Sequence, residues 1–236
     1  DLISYQKGGK ILHLLRTYIG DEAFFAALKL YLTRHRYETT EYTDLKKCFE
    51  DITGEDLKWF FDQWYLRGGH PILTSSHRIH GDTVHIFLSQ KHNFDSSYLY
   101  RIPLELHIFS DGQIVRKNIL LSQKSDSFRY VIPHVRALSV DGKQSLVGIK
   151  NETNTTDEWI YLLRHSPNYL DRANALKKLY SKRNLPEVKA VLFQMLDSEN
   201  PRLVSQAIRT VYEKWLPIEP KWDSALITIA KYNPKK

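Results

Sequence analysis

The chain opens with helical periodicity. The spacing predicts a first helix from Tyr5 to Ile19, with Ser4 as its N-cap and Gly20 as its stop. Its apolar positions fall on more than one side, which is typical of a buried helix: Ile11, Leu12, Leu14, Leu15, Tyr18 and Ile19. Gly8 and Gly9 lie in its first turns, where each costs about 1 kcal/mol relative to alanine. Glycine there predicts that another backbone or a ligand packs close to the helix.

Three more helices are predicted before residue 72. The second begins at Asp21 as N-cap and runs to about His35, the third begins at Thr43, and the fourth begins near Glu55. The fourth carries a dense aromatic stripe that indicates core packing: Leu57, Phe60, Phe61, Trp64 and Tyr65. Gly68 and Gly69 end it, and Pro71 prevents its continuation.

After Pro71 the hydrophobic period changes to that of strands. Gly81-Asp82 predicts a two-residue hairpin, and Asp111-Gly112 and Asp141-Gly142 predict further turns. Between them, apolar residues at 104, 106 and 108 alternate with Glu105 and His107. About six or seven short strands separated by turns favour a small antiparallel β-sandwich.

A polar stretch over residues 150–158 is the candidate linker to a last, helical part. Helices are predicted over about 157–165, 169–182, 186–197, 200–216 and 221–232. The loop at 197–201 and the helix after it resemble HEAT-like repeats, which predicts stacked helix pairs. The sequence thus predicts a multi-domain α and β chain: helices over 1–71, a β-sandwich over 72–150 and a HEAT-like helical domain over 151–236.

Composition narrows the classes of function. The net charge of +7 comes from 34 basic and 27 acidic residues spread along the chain, whereas nucleic-acid binders concentrate positive charge on one element. No apolar run approaches the roughly 18 residues that a membrane span requires. Cys48 is the only cysteine and lies on the apolar side of a predicted helix, so we expect a buried, inert thiol. We therefore expect no nucleic-acid partner and no membrane-spanning segment.

Six short sequence motifs over residues 4 to 71 resemble motifs of the aminopeptidase N family of zinc metallopeptidases and occur in the same order. The first is Tyr-x-Lys-Gly at Tyr5, which opens the first helix. The others are Gly20-Asp21-Glu22-Ala23-Phe24-Phe25, Thr43-Asp44-Leu45, Thr53-Gly54-Glu55-Asp56-Leu57, Phe60-Phe61-Asp62-Gln63-Trp64 and Gly69-His70-Pro71. Each is weak alone, but their shared order is specific.

The resemblance implies that residues 1–71 are the helical end of a catalytic domain, followed by a β-sandwich and a helical domain. It also implies a function, the hydrolysis of N-terminal peptide bonds, in which Tyr5 is the catalytic tyrosine that steadies the tetrahedral intermediate. The family's zinc motif, His-Glu-x-x-His with a later glutamate, precedes that tyrosine, and no His-Glu pair occurs in this sequence. The chain is therefore expected to be a C-terminal fragment that binds no zinc and is inactive alone. Its partners would be a peptide substrate and an upstream zinc-bearing catalytic domain.

Some interpretations stay open on the sequence alone. Lys7 and Lys10 could face a substrate, but their positions are explained better by solvated or ion-paired lysines, and no role is assigned. The spacing of His77, His80 and His85 completes no ligand set, which indicates ordinary surface histidines. The alternative function is a non-catalytic scaffold, in which the β-sandwich and helical repeats form a protein-interaction module and the parent protein has lost its zinc ligands. On spacing alone, Tyr5 would be an aromatic residue at the start of a helix, packed in a core.

Overall fold

A computed structural model describes residues 2–95, 97–212 and 227. The chain divides into two compact units. The first comprises residues 1–108, 114–135 and 140–153, and the second comprises 109–113, 136–139 and the described residues from 154 onward. No helix within the described residues is long and apolar enough to cross a membrane.

The first unit begins with four helices. They are α1 (Leu2–Ile19), α2 (Asp21–Arg34), α3 (Tyr42–Thr53) and α4 (Lys58–Phe61), and α4 continues as a π-helical turn over Asp62–Leu66. Two predicted caps are wrong. Ser4 lies inside α1, and Asp21 is the first residue of α2, whose N-cap is Gly20 with φ of 87°. Only glycine adopts that backbone conformation readily.

The predicted aromatic stripe is core, as its spacing indicates. Four of its five members are fully buried: Leu57, Phe60, Phe61 and Trp64. Leu14 and Leu15 of α1 and Phe49 of α3 are buried as well, and so is the thiol of Cys48. Apolar burial of this kind is the main favourable contribution to folding.

Within the described part of the chain, seven strands form two sheets. The first sheet has the order β5-β2-β1-β7 and contains β1 (Pro71–His80), β2 (Thr83–His92), β5 (Ser125–Val131) and β7 (Ile149–Glu152). The second has the order β4-β3-β6, with β3 (Ile102–Ser110), β4 (Gln113–Leu121) and β6 (Val135–Ser139). The hairpin at Gly81-Asp82 is confirmed, because His80 pairs with Thr83 across that turn.

Two features of the strands were not predicted from the sequence. β7 overlaps the stretch that the sequence predicts as a linker, and it pairs in parallel with β1 over residues 72–75. Every residue of β3 is buried, so the alternation of Glu105 and His107 with apolar residues does not mark a solvent-facing side. The loop that follows β6 packs over this part of β3, with Gly142 directly against the His107 ring.

The second unit contains α5 (Thr156–His165), α6 (Tyr169–Leu179), α7 (Pro186–Gln194) and α8 (Pro201–Tyr212), with short 3₁₀ turns after α6 and α7. Thr155 caps α5 in a capping box with Glu158. These elements match the predicted helices over 157–165, 169–182 and 186–197 and the described part of the helix predicted over 200–216, whose residues 213–216 lie outside the described residues. The predicted helix at 221–232 lies outside the described residues apart from position 227.

Candidate functional site

Tyr5 lies in the first turns of α1, and its side chain is 84% exposed. The helix behind it is fixed by Ile11, Leu14 and Leu15, which are buried. Its phenol makes no hydrogen bond with any residue that the structure describes. Among the described residues Tyr5 is therefore not packed in a core, and its hydroxyl is accessible to another molecule.

Gly8 and Gly9 lie on the same helix, just after Tyr5. A methyl group at either position would have no described atom within 4 Å. The expected close neighbour, another backbone or a ligand, is therefore not supplied by the described residues. The stretch around Tyr5 is instead an open helical surface.

Two other side chains of α1 contact the loop that joins β6 to β7. Lys10 donates through Nζ to the carbonyl oxygen of Gln144. Nε2 of His13 lies 2.8 Å from the carbonyl oxygen of Lys143. A carbonyl oxygen only accepts, so Nε2 of His13 carries the proton. Lys10 is therefore paired with this loop.

The loop over residues 141–145 is organised by a buried carboxylate. Asp141 accepts hydrogen bonds from the backbone N–H of Ser145 at 2.7 Å, from its hydroxyl at 3.0 Å and from the N–H of Leu146 at 3.0 Å. Burial raises the pKa of Asp141, whereas Lys150 and these donors act in the opposite direction. Asp141 and Gln144 both have left-handed backbone conformations, with φ of 63° and 55°. The side-chain hydrogen bonds thus hold a conformation that non-glycine residues seldom adopt.

Glu105 and His107 of β3 form a second polar cluster beneath this loop. Oε1 of Glu105 lies 2.7 Å from Nε2 of His107, and Oε2 lies 3.2 Å from Nζ of Lys143. Burial alone would raise the pKa of Glu105, but the hydrogen bonds from His107 and Lys143 outweigh it and lower the pKa. The ionised carboxylate is therefore the stable form at neutral pH.

Two histidines outside the set at 77, 80 and 85 are buried, which the sequence does not predict. His107 is 6% exposed, and His92 is buried at the end of β2. Strand alternation places His107 on a polar side, and the sequence contains no local signal for the loop that covers it. Asp141-Gly142 is recognisable from sequence only as a turn, and its role in organising this loop has no such signal.

The described residues do not fit a zinc ion. No group of three or more His, Cys, Asp or Glu side chains among them lies close enough together to hold a metal. His80 and His85 are not opposite each other in the hairpin, because His85 pairs with Arg78. Of the catalytic groups that the resemblance implies, Tyr5 is the one in this chain.

Comparison with known proteins finds similarity to peptidases. Residues 1–64 match the model of the Peptidase family M1 domain. These residues contain five of the six ordered motifs, from Tyr5 to Trp64. The resemblance to the aminopeptidase N family is confirmed, and the family match covers the first quarter of the chain.

Named relatives agree with this assignment. Aminopeptidase N of Lactococcus lactis subsp. lactis is 36% identical over 107 residues, which cover 43% of this chain and 12% of the relative. The alanine/arginine aminopeptidase of Saccharomyces cerevisiae is 26% identical over 171 residues, 70% of this chain and 19% of the relative. The chain thus spans less than a fifth of the length of these two relatives.

The similarity of fold extends over nearly the whole chain. The crystal structure of Legionella pneumophila aminopeptidase A in complex with aspartic acid matches with a TM-score of 0.73. The match covers 97% of this chain and 29% of that protein, at 18% sequence identity. At that identity the comparison concerns the fold alone.

Proposed function

We propose that this chain is the C-terminal part of a zinc-dependent aminopeptidase-like metallopeptidase that hydrolyses N-terminal peptide bonds. The observation that carries the proposal is the accessible phenol of Tyr5 in a segment that matches the family M1 domain. The zinc, which polarises carbonyls and activates water in such enzymes, would be held by residues outside this chain.

Tyr5 would act as a hydrogen-bond donor to the developing oxyanion. A phenol has an ordinary pKa of about 10 and stays protonated at neutral pH. It can therefore donate to the carbonyl oxygen as negative charge develops on it during attack. One well-placed donor of this kind contributes about 3–4 kcal/mol to stabilising the transition state.

The open surface at Gly8 and Gly9 supports a partner for α1. Glycine in a helix costs about 1 kcal/mol relative to alanine, and nothing described in this chain compensates for that cost at either position. Close approach of another backbone would account for both glycines. We propose that the upstream, zinc-bearing part of the catalytic domain packs there and encloses the peptide substrate.

The organisation of the chain is part of the same proposal. We propose that residues 1–71 complete the catalytic domain, that 72–150 form a β-sandwich and that 151–236 form a HEAT-like domain. The two sheets, and the packing of α5 against α6 and of α6 against α8, support the last two parts. The scaffold alternative has no comparable support, since it gives the exposed Tyr5 no role.

The decisive experiment replaces Tyr5 with phenylalanine in the full-length protein. The change removes one exposed hydroxyl, so folding should be unaffected. kcat on an aminoacyl arylamide should fall by about 100- to 1000-fold, the range for loss of one oxyanion donor. KM should change little, because the hydroxyl acts mainly in the transition state. Zinc content should be unchanged.

Tyr37 offers a matched control, because it is also strongly exposed and also belongs to the first unit. Its hydroxyl accepts a hydrogen bond from Arg36 at 3.0 Å. Tyr37→Phe should leave kcat unchanged. If Tyr5→Phe kept kcat within about threefold, corresponding to less than 1 kcal/mol of barrier, the catalytic role of Tyr5 would be wrong.

The zinc assignment has a separate test. The purified 236-residue chain should hold no stoichiometric zinc and should not hydrolyse an aminoacyl arylamide. One tightly bound zinc per molecule would contradict this. The coding sequence upstream of Asp1 should encode His-Glu-x-x-His and a later glutamate, and their absence would favour the scaffold alternative.

A further inference from the structure

We propose that the loop over residues 141–145 is a positioning element that holds α1, and with it the hydroxyl of Tyr5, through Lys10 and His13. The inference deepens the proposed function and rests on it. Lys10 and His13 are positioning residues in this scheme, as is Asp141, because none of them would touch the substrate.

The contact with α1 is directional. Lys10 and His13 are three residues apart, so their side chains project from the same face of the helix. They donate to the carbonyl oxygens of two consecutive loop residues, Gln144 and Lys143. Two such contacts restrict both the rotation of α1 about its axis and its displacement along it. Tyr5 lies five residues before Lys10, about 7.5 Å along the axis at 1.5 Å per residue.

The loop can hold the helix because its own shape is fixed from within. The buried carboxylate of Asp141 accepts three hydrogen bonds from Ser145 and Leu146. A turn closes between them, with the N–H of Gln144 donating to the carbonyl oxygen of Asp141 at 2.8 Å. These bonds orient the carbonyl oxygens of residues 143 and 144 toward α1.

The loop is also attached to the sheet. The N–H of Gly142 donates to the carbonyl oxygen of Glu105 at 2.7 Å. The side chain of Lys143 pairs with the carboxylate of Glu105 at 3.2 Å. β3 therefore supports the loop, and the loop supports α1 at a point near Tyr5. Displacement of a catalytic group by about 1 Å can cost 100-fold in rate, which gives this support a functional consequence.

The test uses the full-length protein with the double substitution Lys10→Met and His13→Leu, which removes both donors. We expect kcat to fall about 10-fold or more, while KM changes less than about threefold, since only the placement of Tyr5 is altered. The conservative pair Lys10→Arg and His13→Gln keeps both donors and should restore most of kcat. Lys29→Met is the control, because Lys29 is an exposed lysine of α2 and its side chain has no partner among the described residues.

The Tyr5→Phe protein serves as a second background. It distinguishes an effect on the position of the Tyr5 hydroxyl from a general loss of activity. In the Tyr5→Phe protein the same double substitution should lower kcat by no more than about twofold, because there is no hydroxyl left to position. Equal losses in the wild-type and Tyr5→Phe backgrounds would overturn the inference. Asp141→Asn, which alters the loop without touching α1, should follow the same pattern as the Lys10 and His13 substitutions.

Hydrogen–deuterium exchange of the isolated chain gives a readout that does not depend on activity. Amides in the first half of α1 should exchange faster in the Lys10→Met, His13→Leu variant than in the Lys29→Met control. Unchanged exchange together with unchanged kcat would overturn the inference. If Tyr5→Phe left kcat unchanged, the proposed function would be refuted instead. Faster exchange in the Lys10→Met, His13→Leu variant would still show in that case that the loop holds α1.

Discussion

The imidazole of His92 occupies the space in which a side chain at residue 69 would lie, so Gly69 and His92 fit together only because residue 69 has no side chain. Nε2 of His92 donates to the carbonyl oxygen of Gly68 at 3.2 Å, and Nδ1 accepts from the N–H of Asp95 at 2.9 Å. Nδ1 also accepts from the N–H of Phe94 at 3.2 Å. The hydrogen bonds at the two ring nitrogens fix the ring at the corner between α4 and β1. Gly69 also has a φ of 88°, which favours glycine independently.

Gly69→Ala should therefore destabilise the chain strongly, while Gly68→Ala should not. The added methyl at 69 overlaps the His92 ring and forces a strained backbone, two effects that each cost about 1–3 kcal/mol. At 68 the nearest atom to an added methyl is Cζ of Phe94 at 3.8 Å, an ordinary contact. Urea unfolding of the two variants measures the difference, and equal stabilities would contradict this account of the corner.

Tyr100 offers a test of an unpaired buried group. Its side chain is buried, and its hydroxyl has no hydrogen-bond partner among the described residues. Burial raises the pKa of Tyr100 to about 12. Tyr100→Phe should therefore leave the free energy of unfolding at neutral pH unchanged or increase it, because an unsatisfied polar group is removed from the core.

Tyr31→Phe is the matched comparison, since the Tyr31 hydroxyl lies 2.6 Å from that of Thr40. Losing that hydrogen bond should cost about 0.5–1.5 kcal/mol.

Tyrosinate absorbance of the native chain should include a component that titrates at about pH 12, and that component should disappear in Tyr100→Phe. A clear loss of stability in Tyr100→Phe would show that the hydroxyl has a partner.

Gly8→Ala tests the open surface of α1. In the isolated chain the methyl meets nothing within 4 Å of the described atoms, so better helix propensity should stabilise the chain by up to about 1 kcal/mol. In the full-length protein the same methyl should lower activity if another backbone packs against this face. Gly20→Ala is the opposite control, because its φ of 87° strains any side chain. Activity unchanged by Gly8→Ala would contradict the packing proposed for this face.

The helices were predictable because their signals are local. Each signal comes from residues within the helix that it predicts. Examples are the apolar spacing around Leu14 and Leu15, the stripe at Phe60 and Phe61, and the prolines at 186 and 201. The resemblance added Tyr5, which periodicity alone would place in a core. The helix caps were less predictable, since Ser4 is a good cap by type and yet lies inside a helix.

The polar cluster was not predictable because its members are distant in sequence. Glu105 and His107 alternate with apolar residues as exposed strand residues do, and what buries them is a loop more than thirty residues later. β7 is hard to recognise because its residues, Ile149–Glu152, are mostly polar and begin a polar stretch. Its pairing with β1 is a tertiary contact that no local pattern reports.

The carboxylate of Glu105 should make the stability of the chain depend on pH in the acid range. Its pKa is lowered in the folded state by His107 and Lys143, against the effect of burial. A lowered folded-state pKa means that the contribution to stability is fully present above the unfolded pKa, about 4.3 for glutamate. That contribution is lost as the pH falls from there through the lowered folded pKa.

Glu105→Gln should therefore cost about 1.5–3 kcal/mol at neutral pH, the range for hydrogen bonds to a charged group. The difference between wild type and Glu105→Gln should shrink as the pH falls below about 4.3, because protonation removes the same charge from the wild type. Urea unfolding between about pH 7 and about pH 3 measures this difference. Glu22→Gln, at an exposed glutamate of α2, should change stability by only a few tenths of a kcal/mol. A Glu105→Gln difference that stayed constant with pH would mean that Glu105 contributes by shape alone and that its charge does not hold Lys143 and the loop in place.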